Sequence, residues 1–146
     1  VPESDFYGAL PDLRRKAGDR ALLRAIHIYE ENRRVERQVA ALKQGDFAAF
    51  LEQVRLSGLS SWRMLQNVVP AGYTRHQEVA LALALCEKLL DGRGACRVHG
   101  GGFAGTIQAF VPLDMLERFR VEMDRLLGDG ACHVLTIRPV GGVRLV

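Results

Sequence analysis

A glycine-rich stretch in the last third of the chain has the residue types best suited to chemistry. From Arg97 to Thr106 the chain reads Arg-Val-His-Gly-Gly-Gly-Phe-Ala-Gly-Thr, with four glycines in six positions. Glycine loses more conformational freedom on folding than any other residue, so such a run indicates a tight reversal, positive φ angles or close approach of another group. Main-chain N–H groups presented by a loop of this kind can bind an anion such as phosphate.

The residue pattern Gly100-x-Gly102-x-x-Gly105 matches the dinucleotide-binding fingerprint, but the segment that follows it does not. That fingerprint needs a helix to begin directly after the glycines. The segment that follows, Thr106–Val111, is rich in β-branched and aromatic residues and predicts a strand. The phosphate-loop motif is absent as well, because no lysine follows any glycine. The sequence therefore predicts a strand, a glycine loop and a second strand.

Two side chains beside the loop are candidate ligand contacts. Strand alternation places Arg97 and His99 on the same face. Arg97 could pair with an anion or with a local carboxylate, and His99 could meet a phosphate or sugar hydroxyl or could fix the loop by a hydrogen bond. The sequence shows no nucleophile beside a base, no paired carboxylates and no metal-ligand cluster, so no catalytic or metal-binding residue is predicted. The remaining histidines are predicted to be structural: His27, His76 and His133.

Helical periodicity precedes the loop. After an extended lead-in over Val1–Pro11, a long helix is predicted over Asp19–Gln44. Asn32 is a polar exception on its apolar stripe, expected to be buried and bonded to a neighbouring loop or, alternatively, to contact a ligand. The stripe consists of Ala21, Ala25, Ile28, Val35, Val39 and Leu42. Asp46 is expected to cap a second helix that ends near Leu56. Its predicted inner face comprises Phe47, Phe50, Leu51 and Val54.

Further elements are predicted on either side of the loop. Thr74-x-x-Gln77 and Asp114-x-x-Glu117 match the capping box, and each precedes an apolar helical pattern. The first of these helices would bury Val79, Leu83, Cys86 and Leu90, and the second would end at Gly128. Strands are predicted over Ala95–Val98 and Cys132–Arg138, with Gly142–Val146 as an edge strand. This order predicts an α+β fold with an antiparallel sheet.

Composition narrows the class of protein. The chain has 146 residues, 48% of them hydrophobic and 25% charged, which predicts one globular domain. The net charge of +3 is mild and the arginines alternate with acidic residues, so no nucleic-acid partner is predicted. No apolar run is long enough to span a bilayer, and the three cysteines are predicted to be buried thiols in a reducing, cytoplasmic location.

The glycine loop resembles the third conserved motif of the galactokinases, a branch of the GHMP small-molecule kinases. The usual sequence of that motif is GARMTGGGFGG. Aligned on the triple glycine, the differences include His99, where the family usually has threonine, and Ala104, where it usually has glycine. Matching residues are Arg97, Gly100, Gly101, Gly102, Phe103 and Gly105. Further segments that resemble the family's sequence are Arg24–His27, Glu31–Val35 and Thr136–Pro139. The segment Ser57–Trp62 looks like the family's serine-containing helix link without its usual histidine.

The resemblance implies a fold, an activity and a site. The fold would be the GHMP kinase C-terminal domain, a ferredoxin-like antiparallel sheet with helices packed on one face, occupying residues 1–146. The complete enzyme would use ATP and Mg²⁺ to phosphorylate galactose, or a related hexose, on its anomeric hydroxyl. Its N-terminal half, which carries the catalytic residues, has no counterpart here, so this chain alone would be inactive and would bind no cofactor.

The site residues implied by the resemblance belong to the substrate and nucleotide cleft. They are Arg97, His99, Gly100, Gly101, Gly102, Phe103 and Gly105. The expected partners are the N-terminal half of the kinase, the sugar, and a second copy bound through exposed apolar surface. The alternative is a freestanding, non-catalytic domain of the same fold that binds a ligand or a partner.

Overall fold

The computed structural model describes residues 1–103 and 105–141. The helices are α1 (Glu3–Gly8), α2 (Leu10–Ala17), α3 (Asp19–Lys43), α4 (Phe47–Ser60), α5 (Glu78–Leu90) and α6 (Leu116–Leu127), and the strands are β1 (Ala95–Val98) and β2 (Ile107–Phe110). A π-helical turn, Ser61–Leu65, extends α4, and a 3-10 turn, Leu113–Met115, precedes α6.

The two strands form the hairpin that the sequence predicts. They pair antiparallel, with Ala95 opposite Phe110 and Val98 opposite Ile107. One further hydrogen bond, from the His99 N–H to the Thr106 carbonyl at 3.0 Å, continues the ladder toward the loop. The glycine loop is therefore the connection of the hairpin, and β1 and β2 fix both of its ends.

Helices contact β1 on both of its faces, because strand residues alternate in direction. Cys96 and Val98 belong to the main core, whereas Ala95 packs with Leu51 and Val54 of α4. The other buried members of the main core are Val68, Val79, Ala82, Leu83, Cys86, Leu90, Phe119 and Met123, mostly from α5 and α6. The α+β class is confirmed, although the described strands form a two-stranded sheet.

The N-terminal segment is helical, so the extended lead-in predicted over Val1–Pro11 is wrong. Pro2 is the N-cap of α1 and Pro11 lies in the first turn of α2. Proline is tolerated at these positions, because the first N–H groups of a helix have no partner within the helix. Phe6 is buried, and its ring lies 5.3 Å from that of Tyr29 on α3.

The strand predicted over Cys132–Arg138 is also wrong. This segment has no regular secondary structure, and the side chains of Leu135 and Ile137 are 86% and 80% exposed. Its first residue is tied to α6 instead, because the Cys132 N–H donates to the Asp124 carboxylate at 2.9 Å. The edge strand predicted over Gly142–Val146 lies outside the described residues.

Capping was predicted with mixed success. The Asp46 side chain accepts a hydrogen bond from the Ala49 N–H at 2.9 Å, so the predicted cap of α4 is confirmed. Neither predicted capping box forms. The N-caps of α5 and α6 are Gln77 and Met115, without side-chain cap bonds, and the Asp114 carboxylate binds Arg93 instead.

The cysteines are free thiols, as predicted, with Cys86 and Cys96 buried and Cys132 half-buried. The neighbouring Cys96 thiol and burial together raise the pKa of Cys86, so Cys86 stays neutral at physiological pH. No helix of the described residues is long and apolar enough to cross a bilayer.

Candidate functional site

The glycine loop has a left-handed backbone at several positions. Gly100 and Gly102 have φ angles of +63° and +75°, and Phe103 has a φ angle of +55°. Glycine adopts this region freely, whereas other residues do so at a cost. The backbone conformation of the loop therefore favours glycine at positions 100 and 102.

One residue outside the loop holds it in place. The Phe103 N–H donates to the Asn67 carbonyl at 3.0 Å, and the Asn67 side-chain amide donates to the Gly101 carbonyl at 3.3 Å. A Cβ atom on Gly102 would lie 2.2 Å from the Asn67 carbonyl oxygen, so the two backbones touch directly. Gly102 and Asn67 therefore form the anchor of the loop.

The other side of the loop is open. A Cβ atom on Gly100 or Gly101 would meet nothing within 4 Å. Within residues 1–103 and 105–141, no hydrogen bond takes up the N–H group of Gly100 or Gly101. Free main-chain N–H groups in a glycine-rich turn are suited to an anion.

Asn67 also contributes a free acceptor beside the loop. Its side chain is buried, and its Oδ1 atom accepts no hydrogen bond from the described residues. Buried polar atoms usually have a partner, so this oxygen is an exception beside the loop. Among the described residues, the loop therefore has unpaired backbone donors on its open side and one unpaired buried acceptor on its anchored side.

Arg97 is turned away from the loop and toward the helices. Its guanidinium donates to the Ser57 hydroxyl of α4 and lies 3.7 Å from the Glu31 carboxylate of α3. Of the two partners that the sequence left open, an anion or a local carboxylate, the structure contains the carboxylate. Arg97 thus ties β1 to α3 and α4, directly below the start of the loop.

The Glu31 carboxylate is the centre of a polar cluster between α3 and α4. It accepts a hydrogen bond from the fully buried Ser57 hydroxyl and forms an ion pair with Arg34. Its side chain is 20% exposed, and that of Arg34 is 11% exposed. This pair lies within α3, and the Ser57 hydroxyl connects it to α4. Removing one partner of the pair would leave an uncompensated charge in this interface. The strand that leads to the glycine loop is held by the same contacts.

His27 lies in the same interface, one helical turn before Glu31. Its Nδ1 atom is hydrogen-bonded to the Ser60 hydroxyl at 2.9 Å, and both residues are buried. Burial lowers the pKa of His27, and the positive charges of Arg34 and Arg97 lower it further, against the opposing effect of Glu31. The folded chain therefore holds His27 neutral at pH 7, as expected for a structural histidine.

We expect the neutral state of His27 to make stability depend on pH. The unfolded chain binds a proton at His27 more readily, so its contribution is complete above about pH 6.5 and is lost as the pH falls through the lower folded pKa. Urea unfolding at pH 7.5 and 5.5 should show a fall in the free energy of unfolding, at most about 1.4 kcal/mol per pH unit from this group. The fall should shrink in His27→Gln and persist in His76→Gln, because His76 is exposed. Equal pH dependence in all three proteins would contradict the prediction.

The remaining predicted site residues lie at the surface around the loop. His99, Phe103 and Gly105 are exposed, and the Phe103 ring faces solvent with 45% of its surface accessible. Asn32 is exposed too, so its predicted burial is wrong. Sequence reasoning missed Asn67, Ser57 and Glu31. Recurring polar positions at His27, Glu31 and Arg34, in steps of four and three, were the available signal for the α3 cluster.

The fold and the loop together define an α+β domain built around an exposed glycine hairpin loop, and its curated relatives are galactokinases. The galactokinase of Mannheimia succiniciproducens is 32% identical over 100 residues, which cover 68% of this chain and 24% of that protein. The galactokinase of Actinobacillus pleuropneumoniae is 31% identical over 109 residues, 75% of this chain and 26% of that protein. That of Pasteurella multocida is 31% identical over 97 residues. The chain is thus related to the galactokinases and spans about a quarter of the length of the relatives it matches.

No family model matches the chain, and no solved structure matches it at a significant level. The ferredoxin-like sheet of the GHMP kinase C-terminal domain therefore stays a prediction, whereas the α+β class and the relation to galactokinases are confirmed.

Proposed function

We propose that this chain is the C-terminal domain of a galactokinase-like sugar kinase and supplies one wall of the cleft. In the complete enzyme, ATP would phosphorylate galactose, or a related hexose, on its anomeric hydroxyl. Mg²⁺ would offset the charge of the transferring phosphates, as it does in phosphoryl transfer generally. The ATP, the ion and the catalytic side chains would be held mainly by the part of the kinase outside these 146 residues.

The observation that carries the proposal is the division of the glycine loop into an anchored side and an open side. Gly102 is packed against Asn67, whereas Gly100 and Gly101 have free space where a side chain would be. Asn67 thus holds the loop in position while the main chain at Gly100 and Gly101 stays accessible to a ligand. Phosphoryl transfer depends on positioning and electrostatic stabilisation, and free N–H groups on a rigid hairpin serve both.

The side chains around the loop support a role in binding rather than in proton transfer. Arg97 is committed to Glu31 and Ser57, and His99 is exposed without a carboxylate or hydroxyl partner among the described residues. A general base needs a positioned proton acceptor within reach of the substrate hydroxyl. The residues of this chain would therefore orient the ligand, and the unmatched part of the kinase would perform the proton transfer.

An activity assay on two polypeptides tests the proposal. The purified 146-residue chain, incubated with galactose and Mg-ATP, should release no ADP above the blank, because it lacks the groups that position the hydroxyl against ATP. The longer polypeptide that contains it should turn over galactose under the same conditions. Turnover by the short chain would refute the proposal, and so would inactivity of the longer polypeptide toward galactose and related hexoses.

A further inference from the structure

Helix α3 has an apolar face that no described residue covers. Its members follow one another in steps of four and three when Asn32 is included, and we name them the outer stripe. They are Ala21, Ala25, Ile28, Val35, Val39 and Leu42. The four large side chains, those of Ile28, Val35, Val39 and Leu42, are 45% to 56% exposed. Such a stripe is normally the face by which a helix packs.

The helix cannot bury the outer stripe by rotating in place, because its other face is already occupied. His27 and Glu31 are hydrogen-bonded to Ser60 and Ser57 of α4, and Ala41 is buried on the same side. Rotation would bury the outer stripe only by breaking these hydrogen bonds between α3 and α4. Two neighbouring faces of α3 are therefore suited to contact, and among the described residues only the face toward α4 has its partner.

The spacing of the outer stripe fits a helix as the partner. Apolar residues repeating every three and four positions form the seam along which two α-helices pack. The repeat is maintained from Ala21 to Leu42, a length of about 32 Å along the helix axis. Its one polar member, Asn32, is exposed in the middle of the seam. A single asparagine at such a position usually specifies which helix pairs and in which register.

The length of the relatives points to the source of that helix. The galactokinases that match this chain are about four times as long as the matched region, which covers 24% to 26% of them. We infer that an apolar helix from the unmatched part of a galactokinase-length polypeptide covers the outer stripe of α3. The inference rests on the proposed function, that this chain is one domain of a longer kinase.

Cysteine labelling at the stripe tests the inference. Val35→Cys is made in the 146-residue chain and in the longer polypeptide that contains it, and the rate of maleimide addition is measured by peptide mass spectrometry. We expect addition at least tenfold slower in the longer polypeptide, with the full rate restored in guanidinium chloride. Val39→Cys, made in parallel, gives the same readout if the first variant does not fold. Cys86 and Cys96 are buried and contribute little background, and the half-buried Cys132 is read separately in its own peptide.

Each other outcome overturns the inference. Equal labelling rates in the two native polypeptides would overturn it. Protection in the short chain that disappears on dilution would do so too, because it would identify a second copy of the chain as the partner. A reading frame that encodes these residues alone is the third such outcome. Galactose turnover, measured on the unmodified longer polypeptide, separates this inference from the proposed function. An active kinase with a freely labelled stripe refutes only the inference, and an inactive polypeptide with a protected stripe refutes only the kinase.

Discussion

Replacing Gly101 by valine in the longer kinase is expected to lower kcat/KM for galactose at least a hundredfold, roughly 2.7 kcal/mol of transition-state stabilisation. The structure separates this effect from folding. Gly101 has no positive φ angle, and a side chain there would meet nothing within 4 Å, so the domain should fold normally. The valine side chain would instead occupy the space through which a ligand reaches the main chain. Kinetics of the longer enzyme and thermal unfolding of the 146-residue chain measure the two effects.

Gly141 provides the matched control for this substitution. It also has no positive φ angle and no neighbour within 4 Å of its Cβ position, but it lies far along the chain from the loop. Gly141→Val should leave both activity and stability near those of the parent protein. Full activity of a folded Gly101→Val enzyme would remove the glycine loop from the site.

At Gly102, in contrast, a substitution is expected to affect mainly the stability of the fold. Gly102→Ala should lower the free energy of unfolding by about 3–5 kcal/mol, because the methyl group adds a backbone clash to the strain of a positive φ angle. The new Cβ would lie 2.2 Å from the Asn67 carbonyl oxygen and 2.7 Å from the Asn67 side chain. That carbonyl accepts the Phe103 N–H, so any movement of Asn67 also breaks the anchor. Urea unfolding of the 146-residue chain gives the measurement.

Gly100→Ala separates strain from clash. Gly100 has a similar φ angle of +63°, but its Cβ position is free of neighbours. This variant should lose only the cost of a left-handed alanine, about 1–2 kcal/mol. Equal losses in Gly100→Ala and Gly102→Ala would mean that the contact with Asn67 does not hold the loop.

The sequence predicted elements well wherever local pattern decides them. The periodicity of α3, the hairpin around the glycines and the Asp46 cap all depend on residues close together along the chain. What failed was the orientation of α3. Its apolar stripe is exposed and Asn32 with it, whereas His27 and Glu31 face α4. A helical period shows that two faces differ but not which partner each meets, and the partners Ser57 and Ser60 lie some thirty positions away along the chain.

The strand predicted over Cys132–Arg138 failed for a related reason. Alternating β-branched residues favour a strand only when a neighbouring strand offers its N–H and C=O groups. Ile137 has no such neighbour among the described residues and lies in solvent. The anchor of the candidate site was hidden in another way. Asn67 holds Phe103 through its main-chain carbonyl, which every residue has, so no residue type could have revealed this contact.

The π-helical turn between α4 and Asn67 makes the number of residues in this stretch decisive for the position of Asn67. Ser61–Leu65 is wound with a wider turn than an α-helix, and Gln66 then reverses direction in a left-handed conformation, with a φ angle of +54°. A π-helical turn holds an extra residue compared with an α-helical one. Loss of a single residue here would rotate everything that follows by about 100°. Asn67 would then miss Gly101, 34 positions away along the chain. An insertion or deletion of one codon in this stretch would therefore misplace the glycine loop.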